Sequence, residues 1–355
     1  MADLVFGPDG PAAAPLLRWY DRHRRSMAWR AGPGESADPY RVWLSEIMLQ
    51  QTTVAAVKPY FERFLARFPT VEVLAAAPSE AVMEAWAGLG YYARARNLHA
   101  CAQLVAQAGG FPRDLEGLRA LPGVGAYTAA AVASIAFGVA VVPVDGNVER
   151  VAARVFGIAA PLPGGKTQIA AAAAALGVDP AARERPADFT QALFDLGATI
   201  CTPRNPACTL CPWRDGCRAR QTGDPARLPV KAPRKKRPLR RGVQFWLEDL
   251  EGRVLLRRRP PEGLLGGMLE LPGTGWREAR WTEVEALALA PQVAAWRTVG
   301  VASHGFTHFE LEMEVYVARV AEVTAAGTLY AVASLDEVAL PTAMRRCVAV
   351  VRAES

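Results

Sequence analysis

Four cysteines crowd one short stretch of this 355-residue chain. Cys201, Cys208, Cys211 and Cys217 are spaced C-x6-C-x2-C-x5-C. Four thiolates on a proline-punctuated loop can converge on one tetrahedral volume, the ligand set of a 4Fe-4S cluster or of an all-cysteine zinc site. Zinc ribbons usually pair two C-x2-C knuckles, and only one close pair occurs here. Disulfides find no support, because the N-terminus lacks a basic-then-apolar secretory pattern. A second kind of chemistry sits at Glu46. Trp43, Leu44, Ile47 and Met48 surround it at helical spacing, so its carboxyl faces apolar neighbours. Desolvation there raises the pKa and lets the acid hold a proton near neutrality. Asp145, in Val144-Asp-Gly-Asn-Val148, lies at a loop–helix junction, a common place for an N-cap.

These residues need elements to position them. Up to about Arg220 the chain reads as helical, with Ala-rich amphipathic runs between Gly/Pro turns at 88–90, 109–112, 121–125 and 161–165. The turn Leu121-Pro-Gly123-Val-Gly125 feeds a helix whose free amides suit a phosphate. The uncharged stretch 121–144 is long enough to span a bilayer, but its glycines and Pro143 make it a buried core helix bounded by loops. Cys101 and Cys347 read as core thiols. Residues 227–241 carry three prolines, many cations and no acid, an extended linker. Beyond it, short alternating apolar runs such as Leu311-Glu-Met-Glu-Val-Tyr-Val announce strands. The expected plan is a first domain over 1–225 containing the cysteine loop 201–217, a basic Pro-rich linker over 226–241, and an α+β domain over 242–355. A net charge of +6 favours a polyanionic partner only weakly. The chain reads as soluble and of a reducing compartment.

Three long runs carry a resemblance: Ala28-Trp29-Arg30, the segment from Asp38 through Glu46 to Thr52, and Gly88-Leu89-Gly-Tyr91-Tyr-Ala-Arg-Ala-Arg-Asn-Leu98. Together with the hairpin turn and the cysteines, they resemble the adenine DNA glycosylases of the iron–sulfur, helix–hairpin–helix superfamily, over about Leu17 to Cys217. The resemblance implies a mostly α, two-lobed helix–hairpin–helix glycosylase with a structural 4Fe-4S loop. Its partner would be double-stranded DNA carrying adenine opposite 8-oxoguanine or guanine. Glu46 would protonate adenine at N7. Asp145, oriented by Asn147, would stabilise the oxocarbenium-like sugar or bond to it covalently. Tyr127 stands where the endonuclease III branch carries a Schiff-base lysine, which implies base removal without strand cleavage. Gln51, Leu89 and Tyr91 would enter the duplex as the base is flipped out. Trp29, Arg30 and Gln191 would meet the adenine. Gly123 and Gly125 would meet a phosphate, as would Arg204 and Arg214 beside the cluster. A monomer in the cytoplasm at the bacterial nucleoid is implied, with repair or replication proteins docking on the linker and no membrane.

The second domain resembles the Nudix-like C-terminal domain of the same glycosylases, through Val254-Leu-Leu-Arg-Arg-Arg to Leu-Pro-Gly273 and through His304-Gly-Phe306-Thr307-His308-Phe. The R-E-x-x-E-E metal-binding helix is absent from the sequence, so neither pyrophosphatase activity nor catalytic magnesium is expected. Phe306, Thr307 and His308 would instead recognise 8-oxoguanine, threonine taking the family's serine position.

Overall fold

The computed structural model describes residues 11–233, 237–260 and 262–354. Two compact units emerge: Met1–Leu89 with Arg94–Pro233, and Gly90–Ala93 with Arg234–Ser355.

The first unit is helical throughout its described length, apart from short bridges. Its helices are α1 (Ala13–His23), α2 (Pro39–Leu49), α3 (Val54–Arg67), α4 (Val71–Ala76), α5 (Ser79–Trp86) and α6 (Tyr92–Gln107). They continue as α7 (Leu115–Ala120), α8 (Ala126–Phe137), α9 (Gly146–Val155), α10 (Lys166–Leu176), α11 (Pro180–Glu184), α12 (Pro186–Asp195) and α13 (Arg218–Gln221). Local signals set the ends that matter. Asp38 caps α2 by accepting the Tyr40 amide at 2.9 Å, and Pro39 takes the first helical position, where its missing donor costs nothing. Gly138, at φ 67°, closes α8. The uncharged stretch 121–144 thus holds a 12-residue helix, and among the described residues no helix is long and apolar enough to cross a membrane. One core packs α1, α9, α10 and α12 around Leu16, Tyr20, Val151, Ile169 and Leu193. In α2, Trp43, Leu44 and Met48 are wholly buried. Cys101 is buried as well.

The basic run after Arg227 is only partly free chain. Leu162 donates its amide to Val230 O (2.8 Å) and accepts the Ala232 amide (3.1 Å). Arg154 Nε donates to Leu228 O at 3.0 Å. These bonds satisfy backbone groups that an extended tether would leave to water. Arg234–Lys236, the centre of the expected linker, lie outside the described residues.

The second unit is a mixed sheet of β1 (Leu239–Glu248), β2 (Arg253–Arg258), β3 (Leu269–Glu270), β4 (Arg297–Gly305), β5 (Glu310–Arg319) and β6 (Thr328–Ala331), with helices α14 (Glu283–Leu287) and α15 (Thr342–Glu354). The order is β3-β2-β1-β5-β4, with β6 pairing β2. β1 runs parallel to β5 and antiparallel to β2. The central β1 is buried from Val243 to Leu247, on both faces of the sheet, Gln244 included. Val243 and Phe245 pack with Ala286 of α14, while Trp246 shares a core with Met344, Cys347 and Val348 of α15.

Candidate active site

In the first unit, α2, α8, α12, the head of α9 and the loop after α1 enclose a cavity of about 520 Å³. Its walls include Trp29, Arg30, Glu46, Gln51, Tyr127, Asp145, Asn147 and Gln191. Eight residues far apart in sequence thus share one chamber.

Glu46 is 7 % exposed. Burial raises its carboxyl from 4.5 to about 7. A hydrogen bond with Tyr127 and the Arg30 cation pull the other way, and the Asp145 charge adds to the rise. An acid so placed is substantially protonated at neutral pH. Tyr127 is pushed upward by burial and by both carboxylates, so its phenol keeps its proton. Its ring leans on Phe194 at 6.4 Å.

Asp145 caps α9. Its Oδ1 accepts the amides of Asn147 (2.9 Å) and Val148 (2.7 Å), and Oδ2 accepts from Asn147 Nδ2 at 2.8 Å. Three donors fix the carboxylate's direction. Asn147 is fixed in turn, its Oδ1 accepting from Arg150 Nη2 at 2.9 Å. The same Nη2 donates to Gly197 O at 2.6 Å, and Arg150 Nε donates to Cys201 O at 2.7 Å. Gly197 lies in a π-helical turn, 196–200, that continues α12. A β-carbon there would lie 2.5 Å from Asn147 Cβ, so only glycine lets the two segments meet.

Arg30 forms another wall. Its Nη1 and Nη2 donate to the two oxygens of Asp195 at 2.8 Å each. The Asp195 side chain is fully buried, and Arg25 adds its backbone amide (3.0 Å) and its Nε (2.6 Å). Gln191 donates from Nε2 to Ala187 O at 3.2 Å, while its buried Oε1 has no partner. Beside the cavity, Arg94 Nη1 collects the carbonyls of Ile47 (2.9 Å) and Gln50 (2.7 Å), and Nη2 takes that of Leu89 (3.1 Å). One guanidinium therefore ties the end of α2 to the turn after α5. Gln51 follows in the left-handed region, at φ 58°.

Three predicted residues of the first unit, Leu89, Gly123 and Gly125, lie outside the cavity wall. Leu89 is 7 % exposed, between Gly88 (φ 96°) and Gly90 (φ 70°). Gly123 (φ 74°) and Gly125 shape the hairpin ahead of α8, and Gly125 is its N-cap. In the second unit, Tyr91 is 57 % exposed at φ 50°. Phe306 stacks on Trp276 at 5.6 Å and meets the edge of His304 at 4.6 Å, whereas Thr307 and His308 are exposed.

Cys201, Cys208, Cys211 and Cys217 all line a second cavity, with Arg154 and Trp213 among its walls. All four thiols are free. Arg154, 1 % exposed, donates from Nη1 to Cys201 Sγ at 3.3 Å and to Thr202 O at 2.7 Å, and from Nη2 to Pro203 O at 2.8 Å. A buried cation donating to sulfur suits thiolates that carry an anionic cluster. No group of three or more His, Cys, Asp or Glu side chains among the described residues is set to hold a lone ion. Arg204 and Arg214 are exposed on this loop.

Asp195, Arg25, Arg94 and Arg150 were not singled out from sequence. Asp195 carries the signal that marked Glu46, an acid inside the apolar run Ala-Leu-Phe-Asp-Leu-Gly-Ala. The arginines carry none, since arginine usually reads as a solvated surface residue.

A carboxylate-lined chamber among helices, beside a four-cysteine loop, defines a class. Residues 44–172 match the HhH-GPD superfamily of base excision DNA repair proteins, 201–217 the iron-sulfur binding domain of endonuclease III, and 243–350 a NUDIX domain. The chain is 37 % identical to the adenine DNA glycosylase of Homo sapiens, over 85 % of this chain and 65 % of that one. It is 36 % identical to that of Rattus norvegicus, over 85 % of this chain and 69 % of the relative. The chain thus spans about two thirds of the length of these relatives. A thermostable thymine-DNA glycosylase superposes with a TM-score of 0.52 at 30 % identity, covering 59 % of this chain and 95 % of its own. The chain belongs to the adenine DNA glycosylase family, and its cysteine loop is an iron–sulfur binding domain.

Proposed function

We propose that this protein hydrolyses the N-glycosidic bond of adenine mispaired with 8-oxoguanine, or with guanine, in duplex DNA. The observation that carries the reading is Glu46, raised to about 7, in the same chamber as Asp145. Protonated Glu46 gives its proton to N7 of the extruded base, so that adenine leaves neutral as the bond from C1′ to N9 breaks. Asp145, held by Asn147, faces the positive charge that grows on the sugar. Water adds its oxygen to C1′ and releases a proton, which restores the carboxyl. The unpaired Oε1 of Gln191 suits the adenine amino group, and Trp29 and Arg30 wall the base. Tyr127 cannot form an imine, so the enzyme removes the base without cutting the strand.

The DNA is gripped elsewhere. Gln51, Leu89 and Tyr91 enter the duplex and fill or wedge the space the base vacates. Amides of the hairpin at Gly123 and Gly125 meet a phosphate. Phe306, Thr307 and His308 read 8-oxoguanine. The four cysteines hold a 4Fe-4S cluster whose part is structural, keeping Arg204 and Arg214 near the backbone. The protein acts as a monomer where the chromosome lies, and its basic linker offers repair or replication proteins a docking segment.

The test is single-turnover excision on duplex with adenine opposite 8-oxoguanine, followed by alkali. Wild type should yield a break at the adenine; Glu46→Gln should yield none while still binding the duplex. Equal cleavage by both would remove Glu46 from the mechanism.

A further inference from the structure

Arg30 poses an electrostatic problem. A guanidinium in a desolvated chamber draws a neighbouring carboxyl toward ionisation, and the Arg30 cation does lower Glu46. Yet Glu46 stays high. The other groups around it are Tyr127 from α8, hydrogen-bonded to it, and Asp145 from the head of α9, which raises it. Arg25 lines the same cavity, and α12 contributes the uncharged Gln191 and Phe194 to the wall. One position past the end of that wall, Asp195 sits outside the chamber with no exposed surface. It takes one hydrogen bond from each terminal nitrogen of Arg30 and two more from Arg25. Burial opposes its charge, but these donors outweigh burial and hold it ionised. Its partner Arg25 is half-buried, at 28 %. A buried carboxylate shared with Arg25 therefore faces the Arg30 cation on the side away from the chamber.

We propose that Asp195 is a positioning residue for excision, which pins the Arg30 guanidinium to the chamber wall and offsets its charge so that Glu46 can keep the proton it delivers. The proposal rests on Glu46 being the acid. Two consequences separate it from a merely structural role. Removing the Asp195 charge leaves Arg30 free to attract Glu46 at full strength, in place or by swinging onto it. Removing Arg30 together with that charge takes away the cation that draws Glu46 toward ionisation.

The experiment is the pH profile of single-turnover excision by the full-length, cluster-loaded protein, from about pH 5 to 9. Wild type loses rate on the alkaline side as Glu46 ionises. In Asp195→Asn that limb should move toward acid by about one pH unit; a limb that stays put overturns the proposal. The double variant Arg30→Met, Asp195→Asn should bring the limb back to within about 0.3 unit of wild type, whatever its absolute rate. An acid shift as large as in the single variant overturns the proposal, and this arm decides alone if Asp195→Asn does not fold. Glu46→Gln on the same axis separates the two ideas. If its residual rate keeps the alkaline limb, the acid assignment falls; if that limb is absent there but immobile in Asp195→Asn, Asp195 has no such role.

Discussion

Replacing Glu46 should make the protein more stable as it destroys activity, and the gain should depend on pH. An ordinary glutamate titrates at 4.5, whereas buried Glu46 titrates at about 7. Between those values the folded chain holds a proton that the unfolded chain releases, so stability falls as pH rises through the window and then levels off. Each pH unit of separation is worth about 1.4 kcal/mol, which sets the full cost of ionising Glu46 in place at about 3 kcal/mol. Much of it accrues between pH 5 and pH 8, about 2–3 kcal/mol. Glu46→Gln keeps the shape and carries no charge, so its advantage over wild type should be small near pH 5 and grow by that amount by pH 8. In a unit of this size it corresponds to roughly 5–10 °C in the midpoint of thermal unfolding. The assay is paired melting curves at both pH values, with visible absorbance reporting an intact cluster. A difference between the proteins that is constant across pH would refute the argument, because no other group changes between them.

Two further outcomes follow from contacts around Asp145 and Tyr127. Gly197→Ala puts a methyl 2.5 Å from Asn147 Cβ and 3.1 Å from its Cα; pushing Asn147 off Asp145 should cut single-turnover excision by about 100-fold while duplex affinity holds, and an unchanged rate would show that Asn147 positions nothing. Tyr127→Lys places an amine in the chamber, so borohydride should trap a DNA adduct that wild type does not form; equal trapping by wild type would mean another nucleophile attacks the sugar.

Glu46 was legible because burial leaves a mark in sequence: apolar residues at helical spacing leave a carboxyl no way out to water. Asp195 bears the same mark, yet its role depends on Arg25 and Arg30, some 165–170 positions away, and no local pattern encodes such a pairing. Arg94 and Arg150 were hidden for a related reason. Each spends its nitrogens on carbonyls brought in from several segments, and main-chain acceptors have no letter in the sequence. The helical first unit and the strands of the second followed from periodicity, whereas the parallel pairing of β1 with β5 joins segments some 70 positions apart and leaves no local pattern. Composition misled at the basic run: cations and prolines suggested free chain, but Val230 and Ala232 are tied to Leu162, a pairing of backbone groups that side-chain chemistry does not reveal.

Asp145 both begins α9 and faces the chamber, and α9 also carries Arg150 and Arg154, the residues that grip the segment entering the cysteine loop. Asparagine starts helices about as well as aspartate, so if Asp145 carries the chemistry proposed above, a single oxygen-for-nitrogen exchange would silence it and leave the scaffold standing, a form able to sit on DNA without acting on it. Alanine would instead fray the helix, and the disturbance would travel along it to the metal-binding end. Two changes at one position would thus harm a cell differently: one by obstructing a lesion, the other by loss of the protein itself.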